Sequence, residues 1–276
     1  MLLQIKNLKK YYKDHGSVIK AVDGLDLVLR HNENLSVVGE SGCGKTTLAK
    51  IIMGLVRPDQ GQVVFEGSDP FRDKVRRELF HRRVRMVFQD PFGSLDPRFT
   101  VRAVLKESLC LEKPMALPEE SRRMMKILKA VGLTEDILSR YPHEFSGGER
   151  QRISIARALM TAPSLLVLDE AVSSLDVLVQ KKILLMLSEL QKKMSLTYLF
   201  ISHNLRAVKK ISQKIAVMYQ GRIVEYGTVD DIFRHPAHPY TERLLKAAFD
   251  YKVAGGPVII SDKAVLKDIG KGHLVL

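Results

Sequence analysis

The chain has only two cysteines, and no apolar run in it nears the roughly 20 residues that a membrane-spanning helix needs. Cys43 and Cys110 are too few for a disulfide framework or a four-cysteine metal or iron–sulfur site, and they fit a reducing compartment. The first residues, "MLLQIKNLKK", lack the apolar core of a signal peptide and predict a first strand. No internal repeat and no low-complexity segment interrupts the pattern. These absences set aside a disulfide scaffold, a repeat array and a four-cysteine metal or iron–sulfur protein. They lead us to expect a chain that is neither secreted nor membrane-spanning.

What is present is ordinary in amount and uneven in charge. The 276 residues, 45% hydrophobic and 27% charged, suffice for one large domain or two modest ones. The net charge of +13 admits nucleic acid, an anionic membrane surface or an acidic protein as partner. Basic residues concentrate in "FRDKVRRELFHRRVR": Arg72, Lys74, Arg76, Arg77, Arg82, Arg83 and Arg85. A solvated helix face and docking near anionic lipid headgroups both account for this run. Nucleic acid fits it less well, because the stretch lacks interleaved aromatic residues.

Along the chain the apolar spacing alternates between two periods. "LLQIKNL", "LDLVL", "LSVVG", "GQVVFEG", "VRMVFQD", "SLLVLDE" and "LTYLFIS" read as strands, and helical patterns follow several of them. Such alternation predicts a mostly parallel sheet with helices on both faces. One helix is expected from Lys45 to about Leu55, stopped by Pro58. From Pro91 to Phe145 the spacing is helical and reads as an insert. "KIAVMYQGRIVEYG" predicts a hairpin turning at Gln220-Gly221. A short helix near Asp230, the stretch "HPAHPYTERLLKAA" and a tail follow. In the tail, "GGPVIISD" reads either as a strand docked on the domain or as a disordered end.

"GESGCGKTT" fits G-x-x-x-x-G-K-[ST], with a strand before it and a helix after it. Glycines at these places let backbone N–H groups converge on a phosphate, and the following helix N-terminus adds partial positive charge. Gly39, Ser41, Gly42, Cys43, Gly44, Lys45, Thr46 and Thr47 are the candidate phosphate-binding residues. Lys45 would reach the β- and γ-phosphates of a nucleotide, and the Thr46 hydroxyl would ligate Mg²⁺. "LLVLDE" delivers Asp169 and Glu170 at the C-terminal edge of a buried strand, where ligands of such sheets bind. Asp169 would orient Mg²⁺, and Glu170 would polarise an attacking water.

A third stretch, "HEFSGGERQRISIARAL", places Ser146, Gly147 and Gly148 at a helix mouth, where N–H groups form an anion site. The three stretches together resemble the nucleotide-binding subunit of ATP-binding cassette (ABC) transporters over residues 1–249. "FSGGE" looks like that family's signature motif, with Phe145 for the usual leucine and Glu149 for the usual glutamine. The resemblance implies that this mouth binds the γ-phosphate of ATP held by an opposite subunit. It implies the same family's Q-loop glutamine at Gln89, a Mg²⁺ sensor, and its D-loop at Ser173 to Asp176. It further implies a switch histidine at His203, in "FISHN", contacting the γ-phosphate. Tyr12 is the expected adenine-stacking aromatic, with Tyr11 as the rival.

The resemblance implies a fold as well: the ABC ATPase α/β fold. A mostly parallel RecA-like core sheet would carry an antiparallel β subdomain and an inserted α-helical subdomain. Residues 1–90 and 146–249 would form the core, 91–145 the helical signature subdomain, and 250–276 the tail. "RYPHEFSGG", "QDPFGSLDPRFTV" and "HPAHPYTERLL" resemble the ATPase subunits of the dipeptide, oligopeptide and nickel import group. Ala171, where many relatives carry proline, leans toward nickel-type subunits, and the "HPxHPYT" stretch leans toward peptide-type ones. Membership implies ATP and Mg²⁺, two transmembrane permease subunits, a second, related ATPase chain and, indirectly, an extracytoplasmic solute-binding protein. It also implies a peripheral place on the cytoplasmic face of the membrane, with no nucleic acid. Two other classes compete: a soluble ABC-type ATPase acting on nucleic acid, and a non-hydrolysing regulatory ATP-binding module. The span between the phosphate loop and "FSGGE" lacks sustained heptads, which disfavours the first. The intact Glu170 and His203 disfavour the second. The import-group motifs, and the lack of a fused membrane domain, likewise disfavour an exporter subunit.

Overall fold

The structure, a computed structural model, describes residues 1–14, 16–110, 112, 115–249, 265–270 and 272–276. The chain divides into two compact units, Met1–Pro70 with Leu199–Leu276, and Phe71–Tyr198.

The first unit opens with β1 (Leu3–Asp14), β2 (Ser17–Leu29), β3 (Asn34–Val38), α1 (Lys45–Ile52) and β4 (Gln60–Phe65). β1 alternates at its start, burying Leu3 and Ile5 while Lys6 stays exposed, and a register shift between Ile5 and Leu8 brings Leu8 to the buried side. It is the centre of a three-stranded antiparallel sheet ordered β2-β1-β4, with Leu3 opposite both Leu29 and Phe65. β3 is buried along its whole length, Leu35, Val37 and Val38 together with the polar Asn34 and Ser36. The helix expected to run to about Leu55 ends earlier, at Ile52. Gly54 adopts φ 70°, and the N–H of Leu55 returns to the Lys50 carbonyl at 2.9 Å. This is a Schellman closure, and it stops the helix before Pro58 can.

The second unit holds α2 (Lys74–Arg83), β5 (Val84–Val87), α3 (Pro91–Ser94), α4 (Val101–Glu107), α5 (Leu117–Ala130), α6 (Gly147–Leu159), β6 (Leu165–Asp169) and α7 (Val177–Met194). Two 3₁₀ turns, Glu135–Ser139 and Pro142–Glu144, lead into α6. In the stretch read as a helical insert, every element among the described residues is an α-helix or a 3₁₀ turn, and α5 turns Met124, Ile127 and Leu128 inward at i, i+3, i+4. β5 and β6 are parallel partners, with Val84 opposite Leu165 and Val87 opposite Leu168. The basic run splits in two. Arg72, Lys74, Arg76 and Arg77 are solvated, whereas Arg85 turns inward, donating Nε to Thr161 Oγ1 at 3.1 Å and a terminal nitrogen to the Ser108 carbonyl at 2.7 Å.

β7 (Thr197–Ser202) leads back to the first unit, which continues with α8 (Leu205–Ile211), β8 (Lys214–Tyr219), β9 (Arg222–Thr228), α9 (Val229–Arg234), α10 (Pro239–Phe249), β10 (Lys267–Asp268) and β11 (Leu274–Val275). β3 and β8 pair in parallel and β8 and β9 antiparallel. The β8–β9 hairpin turns at Gln220 (φ 48°) and Gly221 (φ 81°), the pair of positive φ values that a two-residue loop of this hand needs. The chain end supplies a strand: β11 pairs with β9, Leu274 opposite Tyr226. "GGPVIISD" lies outside the described residues. Among the described residues no helix is long and apolar enough to cross a membrane.

Candidate active site

Each unit carries its own share of the expected site residues. In the first unit the loop after β3 closes around Lys45. The lysine is 5% exposed, and its Nζ donates to the Gly39 and Glu40 carbonyls at 2.8 Å each and meets Cys43 Sγ at 3.6 Å. An ammonium with three donors is thus placed among carbonyls at the loop centre. Gly44 precedes α1 with φ 113°, and a Cβ there would sit 2.0 Å from the Ala21 carbonyl oxygen, so only glycine fits. No side chain caps α1. Its first-turn N–H groups are therefore open to an anion from solvent. Ser41, Gly42 and Thr46 are exposed, Thr47 is half-buried and Cys43 is buried. Burial pushes the Cys43 thiol up, and Lys45 beside it pulls the other way without overcoming it.

Beside this loop lies a cleft of about 420 Å³ lined by Val18, Ile19, Lys20, Asp23, Gly42, Gln220 and Arg222. Val18 and Ile19 are 59% and 50% exposed, unusual for aliphatic side chains on a strand, and Ile19 is the cross-strand partner of Tyr12. The two tyrosines differ. The Tyr11 hydroxyl donates to the Asp23 carboxylate, which also receives Arg222 Nε at 3.2 Å, whereas the Tyr12 ring is 39% exposed with Lys10 Nζ 5.5 Å from its centroid. Burial alone would raise the Asp23 carboxyl. The Tyr11 hydroxyl, Arg222 and Lys20 outweigh it and hold the group below its ordinary value. Sequence reasoning missed Val18, Ile19, Asp23 and Arg222, because exposed aliphatics and a lone Asp–Arg pair carry no spacing signal.

His203 is exposed just past β7, and Asn204 next to it caps α8, its Oδ1 accepting from Arg206 N and Ala207 N at 3.1 Å each. The histidine is therefore carried on a short junction fixed at both ends.

In the second unit β6 ends at Asp169, which is 6% exposed, and Glu170 follows at φ 50°. A left-handed glutamate is strained, and such strain is held where the surroundings over-determine it. Here Ser173 does so: its N–H and Oγ both bond to the Glu170 carbonyl, at 3.0 and 2.7 Å, and Oγ lies 3.3 Å from Glu170 Oε2. The backbone turn at Glu170 is thereby held, with Ser173 Oγ a near neighbour of the carboxylate. Gln89 is exposed beyond the end of β5. Asp176 caps α7, accepting from Val179 N at 2.9 Å.

The signature stretch forms a capping box. Ser146 Oγ accepts from Glu149 N, and Glu149 Oε2 accepts from Ser146 N at 2.9 Å and from Ser146 Oγ at 2.7 Å. The hydrogen bonds from Ser146 hold the Glu149 carboxyl below its ordinary range, so a carboxylate stands at the mouth. Gly148 packs against α7, and a Cβ on it would lie 2.5 Å from Val179 Cγ1. Phe145, in place of leucine, is buried and covered by the Arg140 guanidinium 4.3 Å from its ring centroid. Among the described residues no group of three or more His, Cys, Asp or Glu side chains is placed to hold a metal ion.

A family profile described as ABC transporter matches residues 22–173, and a second, described as oligopeptide/dipeptide transporter C-terminal region, matches 224–267. The chain belongs to the ABC transporter ATP-binding family. It binds ATP and is an ATPase that serves transport. Among its relatives, the oligopeptide transport ATP-binding protein OppF of Bacillus subtilis is 45% identical over 89% of this chain and 82% of its own length. The dipeptide transport ATP-binding protein DppF of Escherichia coli is 41% identical over 89% and 76%. The ABC ATPase fold is shared with cbiO1 from Clostridium perfringens, at TM-score 0.76 and 24% identity over 91% of this chain and 96% of that one. It is shared too with the ATP-binding cassette MJ0796, solved as a dimer in a post-hydrolysis state bound to ADP and Pi, at TM-score 0.74 and 25% identity over 83% and 99%.

Proposed function

We propose that this chain is the ATP-hydrolysing subunit that energises a multi-subunit importer of peptides, working on the cytoplasmic face of the membrane. Its partners are two transmembrane permease subunits and a second, related ATPase chain, with an extracytoplasmic solute-binding protein delivering the peptide. The observation that carries the peptide reading is the C-terminal region match over residues 224–267, beside relatives named for oligopeptide and dipeptide transport. Nickel, the other substrate that the sequence leaves open, has only Ala171 in its favour.

Within the site, Lys45 and the N–H groups of residues 39–47 hold the ATP phosphates. Tyr12 stacks on the adenine, and the exposed Val18 and Ile19 cover the base. The supporting observations are the buried three-donor lysine, the uncapped α1 and the engagement of Tyr11 with Asp23. Thr46, Gln89 and Asp169 are the residues that would hold Mg²⁺. An ion held mainly by hydroxyl, water and phosphate oxygens suits a chain whose described residues offer no dense carboxylate cluster. A bound Mg²⁺ would neutralise charge on the β- and γ-phosphate oxygens. Glu170, at the end of β6, polarises the attacking water, and His203 contacts the γ-phosphate. Ser146, Gly147 and Gly148 receive the γ-phosphate of ATP held on the partner ATPase. ATP thus favours a closed pair of subunits, and hydrolysis reopens it. Residues 1–90 with 146–249 act as the ATPase core, 91–145 as the signature subdomain, and 250–276 as a tail.

The test is purification of the tagged chain from gently solubilised native membranes, with its companions identified by mass spectrometry. Two membrane proteins and a second related ATPase are expected. Recovery of soluble partners or nucleic acid alone would overturn the importer reading.

A further inference from the structure

The loop that holds Lys45 is braced from the far end of the sequence. Glu40, its second residue, donates its backbone N–H to the Tyr240 hydroxyl oxygen at 3.0 Å. The Glu40 carbonyl accepts from Lys45 Nζ at 2.8 Å and from Cys43 N at 3.3 Å. Both sides of this residue are therefore fixed, one by the loop itself and one by a tyrosine 200 positions away.

Tyr240 is held on every side. It is fully buried, its ring stacks on Tyr219 with centroids 4.1 Å apart, and the Arg243 guanidinium lies 5.3 Å from its centroid. Its backbone N–H bonds to His238 Nδ1 at 3.1 Å. The two residues before Pro239 hang on one carboxylate: Ala237 N and His238 N donate to the two oxygens of Glu225 at 2.9 and 3.0 Å. Glu225 has no exposure and lies on β9, where His273 Nε2 meets its Oε1 at 2.7 Å. A carboxylate buried with three such partners is a rigid anchor, since breaking any one of them leaves a charge partly unpaired. "HPAHPYT" is thus a bracket, tied to β9 at one end and ending on the phosphate loop. Burial also pushes the Tyr240 hydroxyl up, so it stays a neutral phenol.

We propose that Tyr240 is a positioning residue for the nucleotide: its hydroxyl fixes the Glu40 peptide and so aims the Ser41–Cys43 segment at the phosphates. The C-terminal stretch 235–241 then sets ATP affinity without touching ATP. This rests on the reading that residues 39–47 hold the phosphates.

Tyr240→Phe removes the oxygen and keeps the ring, its stack on Tyr219 and its contact with Arg243. In the purified full chain, titrated with a fluorescent ATP analogue, the variant should bind roughly three- to tenfold more weakly, the range of one net hydrogen bond. Its nucleotide-free melting temperature should stay within about 3 °C of the unaltered chain's. In the intact membrane complex the KM for ATP should rise while kcat holds, a split that a general loss of stability would not produce. Lys45→Ala is the control. If Lys45→Ala loses binding and Tyr240→Phe binds like the unaltered chain, the bracket is wrong and the phosphate loop stands. If neither variant changes binding, the phosphate-loop reading falls and takes the bracket with it. Should Tyr240→Phe fail to fold, hydrogen exchange in the unaltered chain decides. The Glu40 amide should exchange at least about tenfold more slowly than in a short peptide of the same sequence, and exchange at the peptide rate would overturn the proposal.

Discussion

Gly148→Ala makes a sharp test, because one added methyl meets one defined obstacle. A Cβ at Gly148 would lie 2.5 Å from Val179 Cγ1 and 3.8 Å from Val179 Cβ and Cγ2. Ordinary contact begins near 3.4 Å, so roughly an ångström of separation must be found. Val179 cannot readily turn away, since a β-branched side chain on a helix has one strongly preferred rotamer. The start of α6 must therefore shift from α7, at a cost of about 1–3 kcal/mol for an overpacked contact. That lowers the melting temperature by roughly 2–4 °C for each kcal/mol. The larger effect is on chemistry, because a displacement of about 1 Å at a phosphate-binding mouth can cost on the order of 100-fold in rate. The assay is ATPase activity of the reconstituted complex together with thermal unfolding of the purified chain. Val179→Ala in the same chain removes both γ-methyls and should restore most of both losses, giving a strong coupling in a double-mutant cycle. Additive losses would refute the packing argument. They would mean that Gly148 is needed for close approach of its backbone to the anion.

Glu170→Gln should keep ATP binding and abolish most turnover; unchanged turnover in a purified complex would remove the glutamate from that role. Tyr12→Ala should weaken ATP binding by roughly 1–3 kcal/mol, the worth of one base–aromatic stack, while Tyr11→Phe should leave it nearly unchanged; the reverse order in a fluorescent-analogue titration would exchange their assignments. Asp23 gives a pH signature. Its folded pKa lies below the ordinary 3.8, so the stability it supplies is complete above that value and is lost as pH falls through the folded pKa. Asp23→Asn should therefore be less stable near neutral pH and show a flatter fall of melting temperature between about pH 4 and pH 2; an unchanged slope would show that Arg222 and Tyr11 do not favour the ionised form.

Much of this was legible in the chain itself, for a common reason. The Gln220-Gly221 turn, the Ser146-Gly147-Gly148 helix mouth and the glycine-lysine loop after β3 are local: each depends on φ preferences and on hydrogen bonds within a few residues. Short-range chemistry of this kind is written in spacing. The early stop of α1 is local too: Gly54, just past the helix end, closes it more directly than Pro58 further on.

The rest was settled through space. Nothing in "LKKYY" tells which tyrosine is tied, because the answer is Asp23 on the neighbouring strand. The inward turn of Arg85 depends on Thr161 and the Ser108 carbonyl, so a run of basic residues is only partly a solvated face. The Val179 methyl that makes Gly148 obligatory lies on another helix. Tyr240 reaches the phosphate loop across 200 positions because Glu225 on β9 holds the turn before it. The sequence by itself determined the elements, their turns and the chemical types gathered for ATP. Only the tertiary structure decided which side chains hold those types in place, because a contact between distant residues depends on packing that no local periodicity encodes.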